Sequence, residues 1–382
     1  MKTWHMVAAL AAAAVLTLTI GLFPARAADA DGCPQAAFGF TADERDRMHA
    51  AVTKARADAQ APGITAGVFV PGRGTWICVV GVSDQETSRA MNAADRFRVG
   101  SITKTFTGTA VLQLVERGLI GLDEPLSRYV DWPDGNAITI RQLLNMTAGV
   151  YNYTEDPEFI KRYQADPAGS FGPRDALDIA RNHEPYFPPG QGFHYSDTNY
   201  ILLETVVERV TGRSIGDWIA QEIVGKLGLD ATNYPSTNAL EPPFARGYDE
   251  TPDPGDGATL RDVTESNPGY AGAAGAMVSN LRDLSVWAAE LADGALISDR
   301  LQRERLRTVP LAEGADVSYG LGIADWGGWL GHNGTILGYN TAMFYLPDTK
   351  AVIVVEVNRS GLDTDHATPL FGALAKILYP DR

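Results

Sequence analysis

A serine and a lysine three residues apart, in Ser101-Ile102-Thr103-Lys104, are the first candidates for chemistry. On a helix such positions share a face, so the hydroxyl and the amine converge. A serine hydroxyl attacks well only when a neighbour takes its proton, and a lysine takes it only when burial or nearby cations lower the lysine pKa. The helix N-terminus would add backbone N–H groups for a developing oxyanion. An ordinary helix start with a solvated lysine is the alternative interpretation.

Two further segments carry side chains that move protons. Tyr195 lies in Phe193-His194-Tyr195-Ser196-Asp197, and a tyrosine beside a lysine can be held partly as phenolate and relay protons. His332 lies in Gly331-His332-Asn333-Gly334-Thr335, where glycines let a ligand approach a strand and an imidazole can protonate it near neutral pH. The backbone N–H of Thr335 would supply half of an oxyanion hole. A packed tyrosine and a turn histidine are the alternatives.

Taken together and in this order, the three segments resemble the penicillin-recognising serine enzymes, namely class C β-lactamases, DD-carboxypeptidases and their esterase relatives. The resemblance spans roughly residues 40–380, and no cofactor belongs to it. It is carried by the following stretches: Phe97-Arg98-Val99-Gly100-Ser101-Ile102-Thr103-Lys104, Thr139-Ile140-Arg141-Gln142-Leu143-Leu144, Ala273-Ala274-Gly275-Ala276-Met277-Val278-Ser279 and Gly331-His332-Asn333-Gly334-Thr335.

The resemblance implies a role for each site residue in a two-step acyl transfer. Ser101 would be the acylated nucleophile and Lys104 its base. Tyr195 would pass the proton to the leaving group, and His332 stands where many members have lysine. The oxyanion hole would be the backbone N–H groups of Ser101 and Thr335. The other substrate-binding positions would be Asn333, Gly334 and Asp197.

Two departures from the family pattern bear on the substrate. Asp197 stands where asparagine is common, and an ionised aspartate accepts hydrogen bonds but donates none. We expect Asp197 to hold Lys104 charged. We also expect the substrate to lack the hydrogen-bond donor that an asparagine would offer it. The family's carboxypeptidases often bind a terminal carboxylate with an arginine before His-x-Gly, but this sequence has none between Arg307 and Arg359.

Three functions fit these residues. The first is a D-alanyl-D-alanine carboxypeptidase-like, penicillin-reactive serine hydrolase. The second is an esterase for small acyl esters, or a β-lactamase, of the same fold. The third is a non-catalytic protein that binds cell-wall peptides. The expected partner is accordingly a small molecule or a cell-wall peptide, and the sequence leaves the oligomeric state open.

Strand patterns lie at both ends of the chain and helical patterns between them. Thr41 and Glu44 form a capping box that begins a helix ending near Gln60. Strands are predicted over 64–70 and 75–80, and again over 339–345 and 351–357, with a final helix over 368–378. Residues 121–270 show helices and long loops without a clean strand pair.

These elements predict an α/β (α+β) fold: an antiparallel sheet flanked by helices, built from both chain ends, with an inserted α-rich lobe. The α/β lobe would comprise 41–120 and 271–382, and the helical lobe 121–270. Adjacent strands joined by short turns pair antiparallel. A cleft forms where the lobes meet.

Composition narrows the function classes. The 382 residues are 45% hydrophobic and 21% charged, which is ordinary for a globular protein with a sizeable core. The net charge of -15 disfavours nucleic acid, because phosphates are repelled. The sequence contains neither a Gly-x-Ser-x-Gly elbow nor a His-Glu-x-x-His motif, so a lipase of the α/β-hydrolase type and a zinc protease are disfavoured.

The N-terminal residues predict export. Lys2 precedes an apolar run over 6–23, and Ala25-Arg26-Ala27 follows, as in a secretory signal cleaved after Ala27. The signal would be 1–27 and a flexible leader 28–40; an uncleaved membrane anchor is the alternative. The catalytic body would then lie in the periplasm, the cell envelope or the medium, with no membrane span after signal removal. In that oxidising setting Cys33 and Cys78 can pair.

Overall fold

A nine-stranded antiparallel sheet forms the centre of the structure, a computed structural model that describes residues 32–33, 39–252, 260–361 and 364–381. Its strand order is β3-β2-β1-β13-β12-β11-β10-β9-β8, and the remaining strands form two small pairs, β4 with β7 and β5 with β6. The strands are β1 (Gly63–Val70), β2 (Gly74–Asp84), β3 (Arg89–Ala90), β4 (Phe97–Arg98), β5 (Tyr248–Pro252), β6 (Leu260–Asp262), β7 (Val278–Ser279), β8 (Val309–Pro310), β9 (Val317–Tyr319), β10 (Ala324–Trp326), β11 (Trp329–Ile336), β12 (Tyr339–Leu346) and β13 (Ala351–Val357).

Helices cover both faces of this sheet. The helices are α1 (Ala42–Asp58), α2 (Thr103–Glu116), α3 (Ile140–Leu144), α4 (Pro157–Ala165), α5 (Pro173–Arg181), α6 (Asp197–Thr211), α7 (Ile215–Ile219), α8 (Gly225–Leu227), α9 (Gly272–Gly275), α10 (Leu281–Asp293), α11 (Asp299–Arg305) and α12 (Ala367–Leu378). Apolar residues of α1 and α12 pack with one face of β1 and β13. The other face packs in a larger core with α2, α6 and α10, so α2 is held between the sheet and the helical region.

The fold class is confirmed: strands from both chain ends form one antiparallel sheet, since β1 pairs with both β2 and β13. Thr41 caps α1 with the reciprocal Glu44 bond, as the capping box predicts. Residues 121–270 differ from the expectation, because β5 and β6 pair there. The short strands β8–β10 and the eight-residue strand β11 were not predicted either. The division into two lobes stays a prediction.

A disulfide joins Cys33 to Cys78, whose strand β2 is part of the sheet. The predicted signal (1–27) and most of the predicted leader (28–31 and 34–38) lie outside the described residues. Among the helices that the structure describes, none has the length and apolarity to cross a bilayer.

One acidic side chain is buried in the middle of the sheet. Glu356 of β13 lies in register between Thr65 of β1 and Thr341 of β12, and none of its atoms is exposed. Neither its carboxyl oxygens nor the two threonine hydroxyls make a hydrogen bond to another described residue. Burial raises the pKa of Glu356 well above 4.5, and the charges of Asp95 and Asp283 raise it further.

This carboxyl makes stability fall as the pH rises. Above about pH 4.5 the unfolded chain releases the proton that the folded state retains, so unfolding is favoured increasingly. We expect Glu356→Gln to raise the free energy of unfolding by about 1–3 kcal/mol at pH 8, and by much less at pH 5. Urea denaturation at both pH values measures this difference. An equal effect at pH 5 and pH 8 would contradict the titration.

Candidate active site

Ser101 lies in a tight turn, Gly100–Ile102, that leads directly into α2. Gly100 has φ +53°, and a Cβ at this position would lie 2.9 Å from the Thr335 nitrogen. Two hydrogen bonds of the Thr103 side chain fix the turn: its hydroxyl donates to the Gly100 carbonyl at 2.7 Å and accepts from the Met277 N–H at 3.0 Å. Ser101 is therefore held rigidly at the start of a buried helix, beside β11.

Lys104 is completely buried and contacts three oxygen atoms. Its Nζ lies 2.9 Å from Ser101 Oγ, 2.9 Å from the Ala274 carbonyl and 2.6 Å from Asp197 Oδ1. A neutral amine has two N–H donors and one lone pair. The carbonyl and the carboxylate accept the two donors, which leaves the lone pair for the proton of Ser101.

Opposing effects act on the pKa of Lys104. Burial lowers it and is the largest effect, while the charge and hydrogen bond of Asp197 raise it; the net direction is downward. The expectation that Asp197 holds the lysine charged thus describes only the smaller effect. A lysine with a lowered pKa reaches its basic form more easily, as general-base chemistry requires.

Tyr195 lies one residue before the N-cap of α6, with its ring centroid 4.7 Å from Lys104 Nζ. Its hydroxyl is buried and makes no hydrogen bond of ordinary geometry within the described part of the chain. Burial and then Asp197 raise the pKa of Tyr195 well above 10, while Ser101 opposes them. The side chain is therefore a neutral phenol in the free protein, which corrects the expectation of partial phenolate.

His332 on β11 is buried and neutral. Burial, followed by the charge of Lys104, lowers its pKa to about 3. Nδ1 contacts the Asn333 carbonyl, so it must carry the proton, and Nε2 accepts from the Tyr319 hydroxyl at 2.9 Å. The expectation that His332 protonates a substrate near neutral pH is therefore wrong. Tyr319, which the sequence did not single out, stacks edge-on against both Tyr195 and His332.

The strand edge at 333–335 contacts the nucleophile turn. A Cβ on Gly334 would lie 2.0 Å from the Val99 carbonyl and 3.0 Å from the Ser101 nitrogen, so only glycine fits. This close approach places the Thr335 backbone beside Ser101. Asn333 was expected to contact substrate; its Nδ2 donates to Asp365 at 2.9 Å.

A cavity of about 120 Å³ opens beside Ser101. Asp197 lies at its wall with about a fifth of its side chain exposed, and Thr154 Oγ1 is 3.5 Å from its second oxygen. The apolar lining comes from residues that sequence patterns did not identify: Tyr153, Phe159, Ile160, Tyr270 and Ile336. A larger open depression at 127–137 contains none of the predicted site residues.

Known proteins similar to this chain belong to the group of enzymes that the sequence motifs resemble. The family model described as Beta-lactamase matches residues 48–375. Penicillin-binding protein 4* of Bacillus subtilis (strain 168) is 25% identical over 315 residues, covering 78% of this chain and 68% of that protein. A D-aminopeptidase of Cereibacter sphaeroides is 26% identical over 319 residues, covering 82% of this chain but only 60% of its own length.

Solved structures resemble the fold over nearly their whole length. A D-stereospecific amidohydrolase from Streptomyces sp. has a TM-score of 0.76 at 33% identity, covering 87% of this chain and 99% of that chain. A D-amino acid amidase from Ochrobactrum anthropi SV3, complexed with D-phenylalanine, has a TM-score of 0.78 at 25% identity, covering 89% and 100%. The chain belongs to the beta-lactamase family and is a serine hydrolase of the beta-lactamase/DD-peptidase fold.

Proposed function

We propose that this protein hydrolyses amides of D-configured amino acids through an acyl-enzyme on Ser101. The observation that carries the proposal is the buried Lys104, whose amine contacts Ser101 Oγ at 2.9 Å while two acceptors hold its other donors. Both the D-stereospecific amidohydrolase and the D-amino acid amidase share the fold. Their activities support an amide substrate rather than an ester.

The proposed reaction has two steps. Lys104 takes the Ser101 proton as Oγ bonds to the substrate carbonyl carbon, and the backbone N–H groups of Ser101 and Thr335 stabilise the oxyanion. As the C–N bond breaks, Tyr195 gives its proton to the leaving amine and regains one from Lys104. Water then hydrolyses the Ser101 ester. Neutral His332 acts through Tyr319 to orient the Tyr195 ring.

Asp197 favours a substrate with a free amino group. Among the described residues that line the cavity it is the only charged one, and its carboxylate attracts an α-ammonium and repels a carboxylate. The nearby imidazole of His332 is neutral, and Lys104 in its basic form is a neutral amine, so neither offers a positive charge to a substrate carboxylate. A D-aminopeptidase among the relatives is consistent with this preference.

A penicillin-reactive DD-carboxypeptidase is the second candidate. The relationship to penicillin-binding protein 4* favours it. Its substrates and penicillins carry a carboxylate and an acylated amine, so the charge of Asp197 opposes them.

A substrate panel separates these functions. We expect kcat/KM for D-phenylalaninamide and D-alaninamide to exceed that for the L-enantiomers by about 100-fold. N-acetylation of the D-amide should lower kcat/KM by about tenfold or more, because it removes the ammonium. A fluorescent penicillin and N-acyl-D-Ala-D-Ala test the second candidate, with Ser101→Ala as the control. Highest activity on N-acyl-D-Ala-D-Ala, with a long-lived penicillin adduct on Ser101, would replace our proposal by that candidate.

We also propose that the protein is exported. Lys2, the apolar run over 6–23 and Ala25-Arg26-Ala27 support a cleaved signal, and the disulfide between Cys33 and Cys78 suits an oxidising compartment. N-terminal sequencing of the protein from an envelope or medium fraction should begin at Ala28. Recovery of the uncleaved chain in the cytosol would contradict it.

A further inference from the structure

Helix α6 carries a buried acid that the proposed reaction does not use. Glu204 is 6% exposed, and its Oε2 accepts from the Ala273 N–H at 3.1 Å. Its Oε1 accepts from the Tyr234 hydroxyl at 3.2 Å. Both carboxyl oxygens are therefore bonded, and neither partner is a basic side chain.

Glu204 holds the backbone of the single helical turn α9 (272–275), and this turn contacts Lys104. Ala273 is followed by Ala274, whose carbonyl accepts from Lys104 Nζ at 2.9 Å. On the other side, the Ala273 carbonyl accepts from Thr107 Oγ1 of α2 at 2.8 Å. The turn thus spans from a carboxyl on α6 to the lysine on α2.

Gly272 makes the contact close. It has φ +44°, and a Cβ at this position would lie 2.9 Å from Glu204 Oε2. The carboxyl group therefore packs against bare backbone, and a shift of Glu204 displaces the turn directly.

We infer that Glu204 is a positioning residue that, by holding the 272–275 turn, fixes the Ala274 carbonyl and directs the lone pair of Lys104 toward Ser101. The inference rests on the proposed acylation of Ser101. Without the Ala273 bond, the Ala274 carbonyl can turn away. A Lys104 donor then loses its acceptor, and the amine can rotate away from Ser101 Oγ.

Ionisation of Glu204 adds a pH dependence. Burial raises its pKa to about 7; the Ala273 N–H and Tyr234 oppose that rise, and the charge of Glu208, on the same helix, adds to it. From the neighbouring elements, the phenols of Tyr234 and Tyr153 face it. A carboxylate accepts a hydrogen bond about twice as strongly as a neutral acid. The turn is therefore held more firmly above pH 7 than below it.

The test uses a fluorophosphonate probe, which loses fluoride as Ser101 Oγ bonds to phosphorus. Saturation kinetics followed by intact mass separate the maximal rate from the half-saturating concentration. Glu204→Leu removes the acceptor and should lower the maximal rate about tenfold, with half-saturation unchanged within about twofold. Glu204→Gln keeps an acceptor, so we expect a rate within about threefold of wild type, without the wild-type rise between pH 6 and pH 8.

Glu208→Gln is the matched control, one turn further along α6. We expect a plateau rate within about twofold of wild type. The rise should move to lower pH, because the charge of Glu208, which raises the pKa of Glu204, is gone. A Glu204→Gln profile identical to wild type, or a loss in Glu208→Gln as large as in Glu204→Leu, would overturn the inference. A wild-type protein that the probe does not label on Ser101 would instead overturn the proposed acylation itself.

Discussion

Lys104→Ala should lower the rate of Ser101 acylation by about 10²–10⁴-fold, which is the range that general-base catalysis supplies. The buried amine contacts the nucleophile directly at 2.9 Å. The same amine contacts Asp197 at 2.6 Å. Single-turnover kinetics with a D-amide and with the fluorophosphonate probe measure the loss.

Two variants make this result specific. Lys104→Arg keeps a cation for Asp197 but cannot lose its proton, so we expect it to be as inactive as Lys104→Ala. Lys226→Ala removes a half-exposed lysine that pairs with Glu222, and it should retain full activity. If Lys104→Ala or Lys104→Arg kept a tenth of the wild-type rate, Lys104 would not be the base.

Asp197→Asn is expected to change which substrates are accepted. Loss of the carboxylate at the cavity wall should raise KM for D-amides with a free amino group about tenfold or more. The asparagine side chain offers N–H donors that the carboxylate lacked. The negative charge that raises the pKa of Lys104 is also gone, so acylation by penicillins should become faster. The KM for D-phenylalaninamide and the second-order rate of penicillin adduct formation report the two effects.

Glu155→Gln provides the comparison for this substitution. Glu155 is a partly exposed acid that pairs with His194 and does not line the cavity. We expect it to change neither quantity by more than about twofold. If Asp197→Asn abolished reaction with amides and penicillins alike, Asp197 would be needed for catalysis rather than for substrate selection.

The sequence predicted the part of the site that follows from local geometry. Ser101 and Lys104 are brought together by helical spacing, and the structure has them in contact. Tyr195 and His332 were candidates from their side-chain chemistry, and the resemblance to a family placed them in one site with Ser101. The protonation states predicted for them were wrong because of burial, which sequence alone does not measure. Burial raises the pKa of Tyr195 and lowers that of His332.

Residues that act across distant segments were missed for a related reason. Tyr319 lies in a strand of only three residues, followed by a glycine-rich stretch, so no alternation of apolar residues can develop. Glu204 has the pattern of an exposed helical acid, but α6 is packed on most of its surface. The long apolar runs of β12 and β13 were predictable because both their faces are buried.

The position of β13 in the sheet determines when the sheet can be completed during synthesis of the chain. This strand, the last along the chain, lies in the middle of the sheet, hydrogen-bonded to β1 on one side and β12 on the other. A nascent chain therefore cannot join the two halves of the sheet until β13 has left the ribosome. Pairings over such sequence distances form slowly. A polypeptide released before β13 would have two exposed strand edges, which favour aggregation.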